Sequence, residues 1–219
     1  MKEFKFVLAT LLFLTLFGNA SAQELVESVE PQAIDHAMFG FSVDINSSLA
    51  LVGSPHLDTD DIYQVGNVSV YENTGTEWII TSTIKPPISQ YFLNFGHSVS
   101  ISNSGSAFIG AIGDHENGMY SGAVYVFDDI LSDSSQVSQK LKASDAKPGN
   151  RFGHTIDVLD VDELSESIIV VGAHQANGLE EKSGAVYVFE FDSESSQWVE
   201  SQKLFASDGS SNDYFGHTV

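Results

Sequence analysis

The 219-residue sequence contains no cysteine. This absence excludes disulfide bonds and any catalytic thiol. Small exported domains often depend on disulfides, so a cysteine-free chain has to be held together by its packed core. Hydrophobic residues make up 42% of the sequence, which is enough to supply such a core.

Basic residues are also scarce. Nine Lys and Arg stand against 30 Asp and Glu, which gives a formal net charge of -21. Phosphate backbones are bound by clustered Lys and Arg, so we expect no nucleic acid partner. Acidity favours solubility and attracts divalent cations, but a solvated acidic surface is the simpler interpretation of the charge alone.

Long apolar runs are missing after the first residues of the chain. Lys2 and Lys5 precede an apolar run over 6–17, and small residues follow up to Ala22. This layout predicts a cleaved signal peptide over 1–22 and export of the remainder. We therefore expect a secreted or cell-surface protein, periplasmic if the source is a Gram-negative bacterium, with no membrane span after cleavage.

Motifs of catalysis are absent as well. The sequence has no G-x-S-x-G and no H-E-x-x-H, and its serines are concentrated in turn segments. Pairs of carboxylates occur, but among 30 acidic residues they carry little weight. The sequence therefore predicts no enzyme, no catalytic residue, no cofactor-binding residue and no cofactor.

What the sequence does contain is a repeat. Phe-Gly pairs recur with similar flanking residues, at intervals of 56, 57 and 63 residues. A fixed period of this length indicates a repeat architecture. The pairs begin at Phe39, Phe95, Phe152 and Phe215 and divide the chain into repeats 39–94, 95–151 and 152–214 and a partial repeat 215–219.

Each complete repeat contains four segments typical of β-strands. Val, Ile, Tyr and Phe dominate runs of five to seven residues, and Gly, Asn, Asp and Ser separate them. In GAVYVFEF the side chains of both alternating sets are apolar, which predicts a sheet buried on both faces. Gly75 and Gly105 sit where tight hairpin turns are expected, and we predict almost no helix.

These residues resemble the FG-GAP repeat, the blade of the integrin α-subunit propeller. The resemblance rests on F-G-x-S-V, then VGSP, IGAIG and VGAH, then G-A-V-Y-V-F, with Trp198 and the Q-K-L segment at 202–204 typical of the short secreted variety. It implies an all-β propeller of four-stranded antiparallel blades and a role in extracellular recognition or adhesion. The chain would form a partial ring of about three blades plus the start of a fourth.

The partial ring leaves two points open. Propellers usually close with about four to eight blades, so further repeats of the same chain beyond Val219 are possible partners. Residues 23–38 are either an unstructured leader or an outer strand of a closing blade, since the segment near 25–29 is loosely parallel to the end of the third repeat.

The resemblance also implies a calcium loop with four carboxylates in some repeats. In the third repeat Asp160 and Asp162 match the first and third positions, but Leu164 and Ile168 stand where the fifth and ninth ligands should be. We predict no metal-binding residue. An improvised calcium site stays open as the alternative; its residues would be Asp157, Asp160, Asp162, Glu163 and Glu166.

Two further residue types repeat in register. The four Phe of the Phe-Gly pairs are expected to be packing residues that fill the contacts between blades. Histidines follow three Phe-Gly pairs and three Gly-Ala-Pro-like segments, and we interpret them as repeated packing or hydrogen-bonding positions rather than metal ligands. They are His97, His154 and His217, and His56, His115 and His174.

Function is then expected at loops that vary between repeats. The candidates are 56–64, 114–120 and 174–182, which would lie on one rim and contact extracellular proteins or glycans. We interpret the chain as a non-catalytic binding scaffold. Two alternatives stand beside it: an accessory propeller domain of a longer secreted hydrolase, and a calcium-dependent carbohydrate or surface binder.

Overall fold

The computed structural model describes residues 36–59, 61–131, 136–159 and 167–219. These residues form three four-stranded antiparallel sheets, in each of which neighbouring strands follow one another along the chain. The first sheet contains β1 (Ser42–Ile45), β2 (Leu49–Ser54), β3 (Asn67–Asn73) and β4 (Trp78–Ile84). The second contains β5 (Phe95–Ile101), β6 (Ala107–Ala111), β7 (Ala123–Phe127) and β8 (Gln139–Leu141), and the third β9 (Thr155–Leu159), β10 (Ile168–Ala173), β11 (Ala185–Asp192) and β12 (Gln197–Leu204).

Each complete repeat is therefore one four-stranded blade, as the sequence predicts. No helix is found in the described ranges, and nothing in them is a helix able to cross a membrane. The predicted hairpin turns are confirmed, since Gly75 and Gly105 both have positive φ, at 89° and 93°. The expected signal peptide, the segment near 25–29 and most of the insertion in the third repeat lie outside the described residues.

Two apolar layers hold the blades together, one at each contact between neighbouring sheets. The first joins side chains of β2 and β3 to Val99 and Ile101 of β5. The second joins side chains of the second sheet, such as Phe108, to Ile156 of β9 and to β10 and β11. Both faces of the middle sheet are buried, and this is why its strands have apolar residues at successive positions.

Backbone atoms meet directly where one blade contacts the next. The Ser42 hydroxyl donates a hydrogen bond to the Gly96 carbonyl oxygen at 2.8 Å, and the Ser98 hydroxyl repeats this contact with the Gly153 oxygen at 2.7 Å. A Cβ at Gly110 would overlap that same Gly153 oxygen. The glycine of the Gly-Ala-Pro-like segment is thus needed for the close approach of two blades.

The Phe-Gly pair is fixed to the preceding blade by its backbone. The Phe95 amide donates to the Val65 carbonyl, and the Phe152 amide donates to the Ser121 carbonyl, both at 3.0 Å. The Phe152 ring packs edge-on against Tyr187 at 5.4 Å between centroids. Both phenylalanines are fully buried, which confirms their predicted packing role.

Burial differs for the first and last phenylalanine, so the prediction is wrong for these two. Phe39 is 44% exposed and Phe215 is 38% exposed. In the second and third blades the ring packs on a tyrosine of its own sheet, whereas Ser69 takes that place in the first.

Among the described residues, no neighbouring blade covers the outward faces of the first and third blades. Val43 and Ile45 of β1 are 67% and 60% exposed, whereas Val99 and Ile101 at the same positions of β5 are 7% and 6% exposed. On the third blade, residues 214–219 and side chains of β9, β10 and β11 line an open cavity of 540 Å³. Both surfaces have the chemistry of an internal contact between blades.

A buried carboxylate is held at the start of the loop between β6 and β7. Asp114 is 1% exposed, accepts a hydrogen bond from the Tyr125 hydroxyl at 2.7 Å, and is 2.8 Å from the Lys140 ammonium. Burial and the hydrogen bond to Asp114 raise the pKa of Tyr125. Hydrogen bonds from Lys140 and then Lys142 lower the pKa of the neighbouring Glu116 to about 2.

Candidate functional site

The three loops that vary between repeats lie on one edge of the blades, which we call the rim. Each joins the second strand of its sheet to the third: 56–64 follows β2, 114–120 follows β6, and 174–182 follows β10. The connections that lead from one blade to the next reach the same edge, because each blade has four antiparallel strands. The opposite edge carries the short hairpin turns.

The rim is built on backbone positions with positive φ that are not glycine. Gln64, Tyr120 and Lys182 have φ of 54°, 57° and 53° at equivalent places in the three loops. The residues just before the Phe-Gly pairs, among them Asn94 and Arg151, have φ of 54° and 56°. Such conformations are costly for side chains other than glycine and are concentrated at functional sites.

These positions are joined in pairs across the contacts between blades. The backbone amide of Asn94 donates to the backbone carbonyl of Gln64 at 2.9 Å. The backbone amide of Arg151 donates to the backbone carbonyl of Tyr120 at 3.0 Å. The same backbone geometry therefore presents different side chains at successive contacts. They are two side-chain amides, of Gln64 and Asn94, at the first contact, and the aromatic ring of Tyr120 with the guanidinium of Arg151 at the second. A fixed backbone with changing side chains is what a binding surface needs.

A groove of 510 Å³ opens on the rim between the second and third blades. Its walls come from the loop 114–120, from the loop 174–182 and from the connection between β8 and β9. The lining residues are Met119, Tyr120, Lys147, Pro148, Gly149, Asn150, Gln175, Asn177, Glu181 and Lys182. The ring of Tyr120 contacts two further side chains. The Arg151 guanidinium lies 5.8 Å from the ring centroid, and the centroid of the His115 ring lies 5.6 Å from it.

Two residues that line this groove, Lys147 and Asn150, lie outside the loops that vary between repeats, so the sequence does not predict them. Lys147 and Asn150 belong to the connection between blades, which the repeat comparison does not single out. The available signal is the sequence Pro148-Gly149 between two strands, which marks a turn at the surface. Gly149 adopts φ of 84°, and its amide donates to the Met119 carbonyl at 2.8 Å, so the turn is fixed to the rim loop.

The histidines after the Phe-Gly pairs are in contact with one another. The His97 Nε2 and His154 Nδ1 atoms are 3.1 Å apart, and the His154 ring lies 4.8 Å from the His217 ring. His174 joins the same group, with its ring 3.9 Å from that of His154. The second blade thus contributes His97, the third contributes His154 and His174, and the partial fourth repeat contributes His217. We call these four residues the histidine cluster.

Three imidazoles of the cluster, those of His97, His154 and His174, are held in the neutral form. Burial lowers the pKa of His97 to about 3, with a further contribution from His154 and then Arg151. Burial likewise lowers the pKa of His154 to about 4, helped by His217, and that of His174 to about 3, helped by His154. Of the other repeated histidines, His115 packs on Tyr120, and the backbone amide of His56 donates to the Ala37 carbonyl.

The structure describes only the edges of the acidic loop in the third repeat. Asp157 lies in β9 with its side chain exposed, and Ile168 begins β10. Asp160, Asp162, Glu163 and Glu166 fall outside the described residues. Within 36–59, 61–131, 136–159 and 167–219, no group of three or more His, Asp or Glu residues is arranged to hold a metal ion.

Comparison with known proteins identifies the repeat. The model of the FG-GAP repeat matches residues 93–127, 136–189 and 198–219, which together make up just over half of the chain. No curated protein matches the sequence.

Among solved structures, the crystal structure of Saccharomyces cerevisiae Sqt1 is similar with a TM-score of 0.45 and 11% sequence identity. The match covers 80% of this chain, which spans only 37% of the Sqt1 chain. The matched FG-GAP segments fall on the second and third blades and on the first residues of a fourth repeat. The chain therefore belongs to the FG-GAP repeat family, and its three sheets are blades of a partial β-propeller.

Proposed function

We propose that this chain is a secreted or cell-surface, non-catalytic scaffold that binds extracellular proteins or glycans through its rim loops. The observation that carries the proposal is the groove between the second and third blades. It has the size of a small ligand site and combines an aromatic ring, amide side chains and charged groups. FG-GAP repeats form binding domains of the propeller type, and adhesion is the kind of activity that a displayed rim supports.

Export is part of the same proposal. It depends on the lysines at positions 2 and 5, the apolar run and the small residues before Gln23. Exposure of the rim to extracellular partners requires that this leader is removed and the propeller is released or displayed outside the cell. A cleavage product beginning near Gln23 in the culture medium or periplasm is the expected result.

Additional blades of the same repeat type are the partners we propose for the two uncovered faces. The contrast between Val43 and Val99, 67% against 7% exposed, supports this because the two residues are equivalent. At the other end, Phe215 is already seated on the third blade, with its amide donating to the Ser183 carbonyl at 2.8 Å. The surface beside Phe215 is suited to the first strand of a fourth blade.

The test of the proposed function is a binding screen with the exported full chain. The probes are an array of neutral and acidic oligosaccharides and a panel of immobilised collagen, laminin and fibrinogen. Two variants are compared. Tyr120→Asn removes an aromatic ring from the rim, and Thr74→Ala, in the hairpin turn between β3 and β4, is the control on the opposite edge. We expect binding that Tyr120→Asn weakens at least tenfold and Thr74→Ala leaves unchanged.

Asparagine is chosen at position 120 because it tolerates positive φ, so the rim backbone is kept while the ring is removed. Binding that is insensitive to both variants would move the site away from the groove. No binding to any sugar or protein on the two panels would contradict the scaffold role.

A further inference from the structure

Basic side chains are unevenly distributed over this acidic chain. Lys140 and Lys142 form ion pairs with the acidic residues of the loop 114–120, and Lys203 is 2.7 Å from the Asp145 carboxylate. These three cations are therefore neutralised by the protein itself. They also pack on its surface, since the Lys140 and Lys203 ammonium groups lie 5.2 and 5.5 Å from tyrosine rings.

The cations without an ion pair gather at the groove between the second and third blades. Lys147 and Lys182 line it from opposite walls, and Arg151 lies over the ring of Tyr120, which also lines it. Within the described ranges the only other basic residue without an ion pair is Lys85, which does not line the groove. In a chain with a net charge of -21, this groove is a local cationic surface.

Glu181 is the one carboxylate among the lining residues, against two lysines and the adjacent guanidinium. The local balance of formal charge is therefore positive. An anionic ligand is repelled by most of the remaining surface, so the net charge of the chain directs it to this groove.

The other lining groups indicate which kind of anion fits. Asn150, Gln175 and Asn177 present amides, which donate and accept hydrogen bonds at once and so match the hydroxyl groups of a sugar. The Asn177 Oδ1 atom already accepts a bond from the Lys182 amide at 3.0 Å, which orients its NH₂ group. Tyr120 adds an aromatic surface for the apolar face of a sugar ring.

We propose that the groove binds an oligosaccharide that carries carboxylate groups, with Lys147 and Lys182 contacting the carboxylates and the amides contacting the hydroxyls. The inference rests on the proposed binding function and names its ligand class. A volume of 510 Å³ accommodates a few sugar units.

The experiment is calorimetric titration of the full chain with tetragalacturonate and with its methyl ester. The two probes have the same sugar rings and hydroxyls, and only the first is charged. We expect tetragalacturonate to bind at least tenfold more tightly, because a lysine-carboxylate contact is a charge-assisted hydrogen bond and the ester cannot form it.

The variants are the pair Lys147→Gln with Lys182→Gln, and Lys85→Gln as the control. Glutamine is suited to position 182 because Gln64 holds the equivalent positive φ in the first blade. All three lysines are exposed, so the melting temperatures should stay equal. The double variant should lose at least tenfold in affinity for tetragalacturonate and none for the ester, and the control should lose neither.

A hexaglutamate peptide is the third probe, since an acidic peptide would also seek the cations. Equal or tighter binding of the peptide overturns the assignment to a sugar, and equal binding of ester and acid overturns the role of the lysines. If the chain binds a neutral sugar or a matrix protein through Tyr120 but not tetragalacturonate, this inference fails while the proposed binding function stands. If the chain binds none of these probes, both the proposed binding function and this inference are contradicted.

Discussion

The Nε2 atom of His97 lies 3.1 Å from the Nδ1 atom of His154, although 57 positions separate the two residues in the sequence. The contact crosses from the second blade to the third. One imidazole has to donate and the other has to accept, so at least one of these nitrogens must carry no proton. The histidine cluster therefore makes the contact between blades sensitive to protonation.

The pH dependence of stability is the first prediction. His97, His154 and His174 have pKa values of about 3, 4 and 3 in the folded chain, against 6.5 for an unperturbed histidine. Well above pH 6.5 these groups are neutral in both states. As the pH falls from 6.5 toward 4 the unfolded chain binds protons that the folded chain does not, so the free energy of unfolding decreases.

The slope has an upper limit of about 1.4 kcal/mol per pH unit for each histidine. Urea unfolding between pH 7.5 and 5 measures it, in a range above the ordinary titration of carboxylates. His154→Phe keeps a ring in the cluster and should make the slope shallower, whereas His36→Gln lies outside the cluster and should not change it. A slope that is the same in both variants would contradict the prediction.

The buried carboxylate gives the second prediction. Lys140→Met removes the cation beside Asp114, which is 1% exposed, and leaves that charge with hydrogen bonds alone. We expect a loss of about 3 kcal/mol in the free energy of unfolding, measured with urea at pH 7.

Lys142→Met is its control. Among the residues that the structure describes, Lys142 forms an ion pair with the exposed carboxylate of Glu116 alone, so removing its ammonium group should cost less than about 1 kcal/mol. If the two variants lose the same free energy, burial of Asp114 is not what makes the Lys140 contact strong.

Equivalent positions on covered and uncovered blades give the third prediction. Val99→Asp places a carboxylate in the apolar layer between the first two blades, so the chain should lose at least about 3 kcal/mol or fail to fold. Val43→Asp makes the same change on the uncovered face and should stay within about 0.5 kcal/mol. Comparable losses in thermal melts of the isolated chain would show that β1 is covered in solution.

Close approach of the blades gives the fourth prediction. Gly110→Ala would make a methyl group overlap with the Gly153 carbonyl oxygen, which is a backbone atom and not the end of a flexible side chain. A loss of more than about 2 kcal/mol is expected. Gly209→Ala is the matched change, since its Cβ would be 3.2 Å from the Ala206 oxygen, and it should cost less than about 1 kcal/mol by the same denaturation measurement.

The sequence predicts the strands and the inner packing of this protein well, because both depend on local pattern. Phe95 and Phe152 are buried both by an aromatic partner in their own sheet and by side chains of the preceding blade. Phe39 is 44% exposed, and Ser69 stands where that aromatic partner would be. Contacts between repeats are harder to predict. The period places a histidine after three of the four Phe-Gly pairs, but it does not give the distance between the first strands of successive blades, so the histidine cluster is seen only in three dimensions.

The candidate site shows the same limit. Variation between repeats points to the loops 114–120 and 174–182, which form two walls of the groove. Lys147 and Asn150 complete it from a connection whose path depends on how the third blade packs on the second. The sequence also does not predict which of its many acidic residues pairs with a given lysine, as Asp114 does with Lys140.

Besides the apolar layers, backbone groups of the Phe-Gly pairs join neighbouring blades. They are the amides of Phe95, Phe152 and Phe215 and the carbonyls of Gly96 and Gly153. These hydrogen bonds and the apolar layers involve no side chain of the variable rim loops 56–64, 114–120 and 174–182, apart from Ala176. A repeat can therefore be duplicated in the gene, or exchanged for one with different rim loops, and still fit its neighbours. New specificities in this architecture are reached by recombining whole units, without redesign of the joint between them.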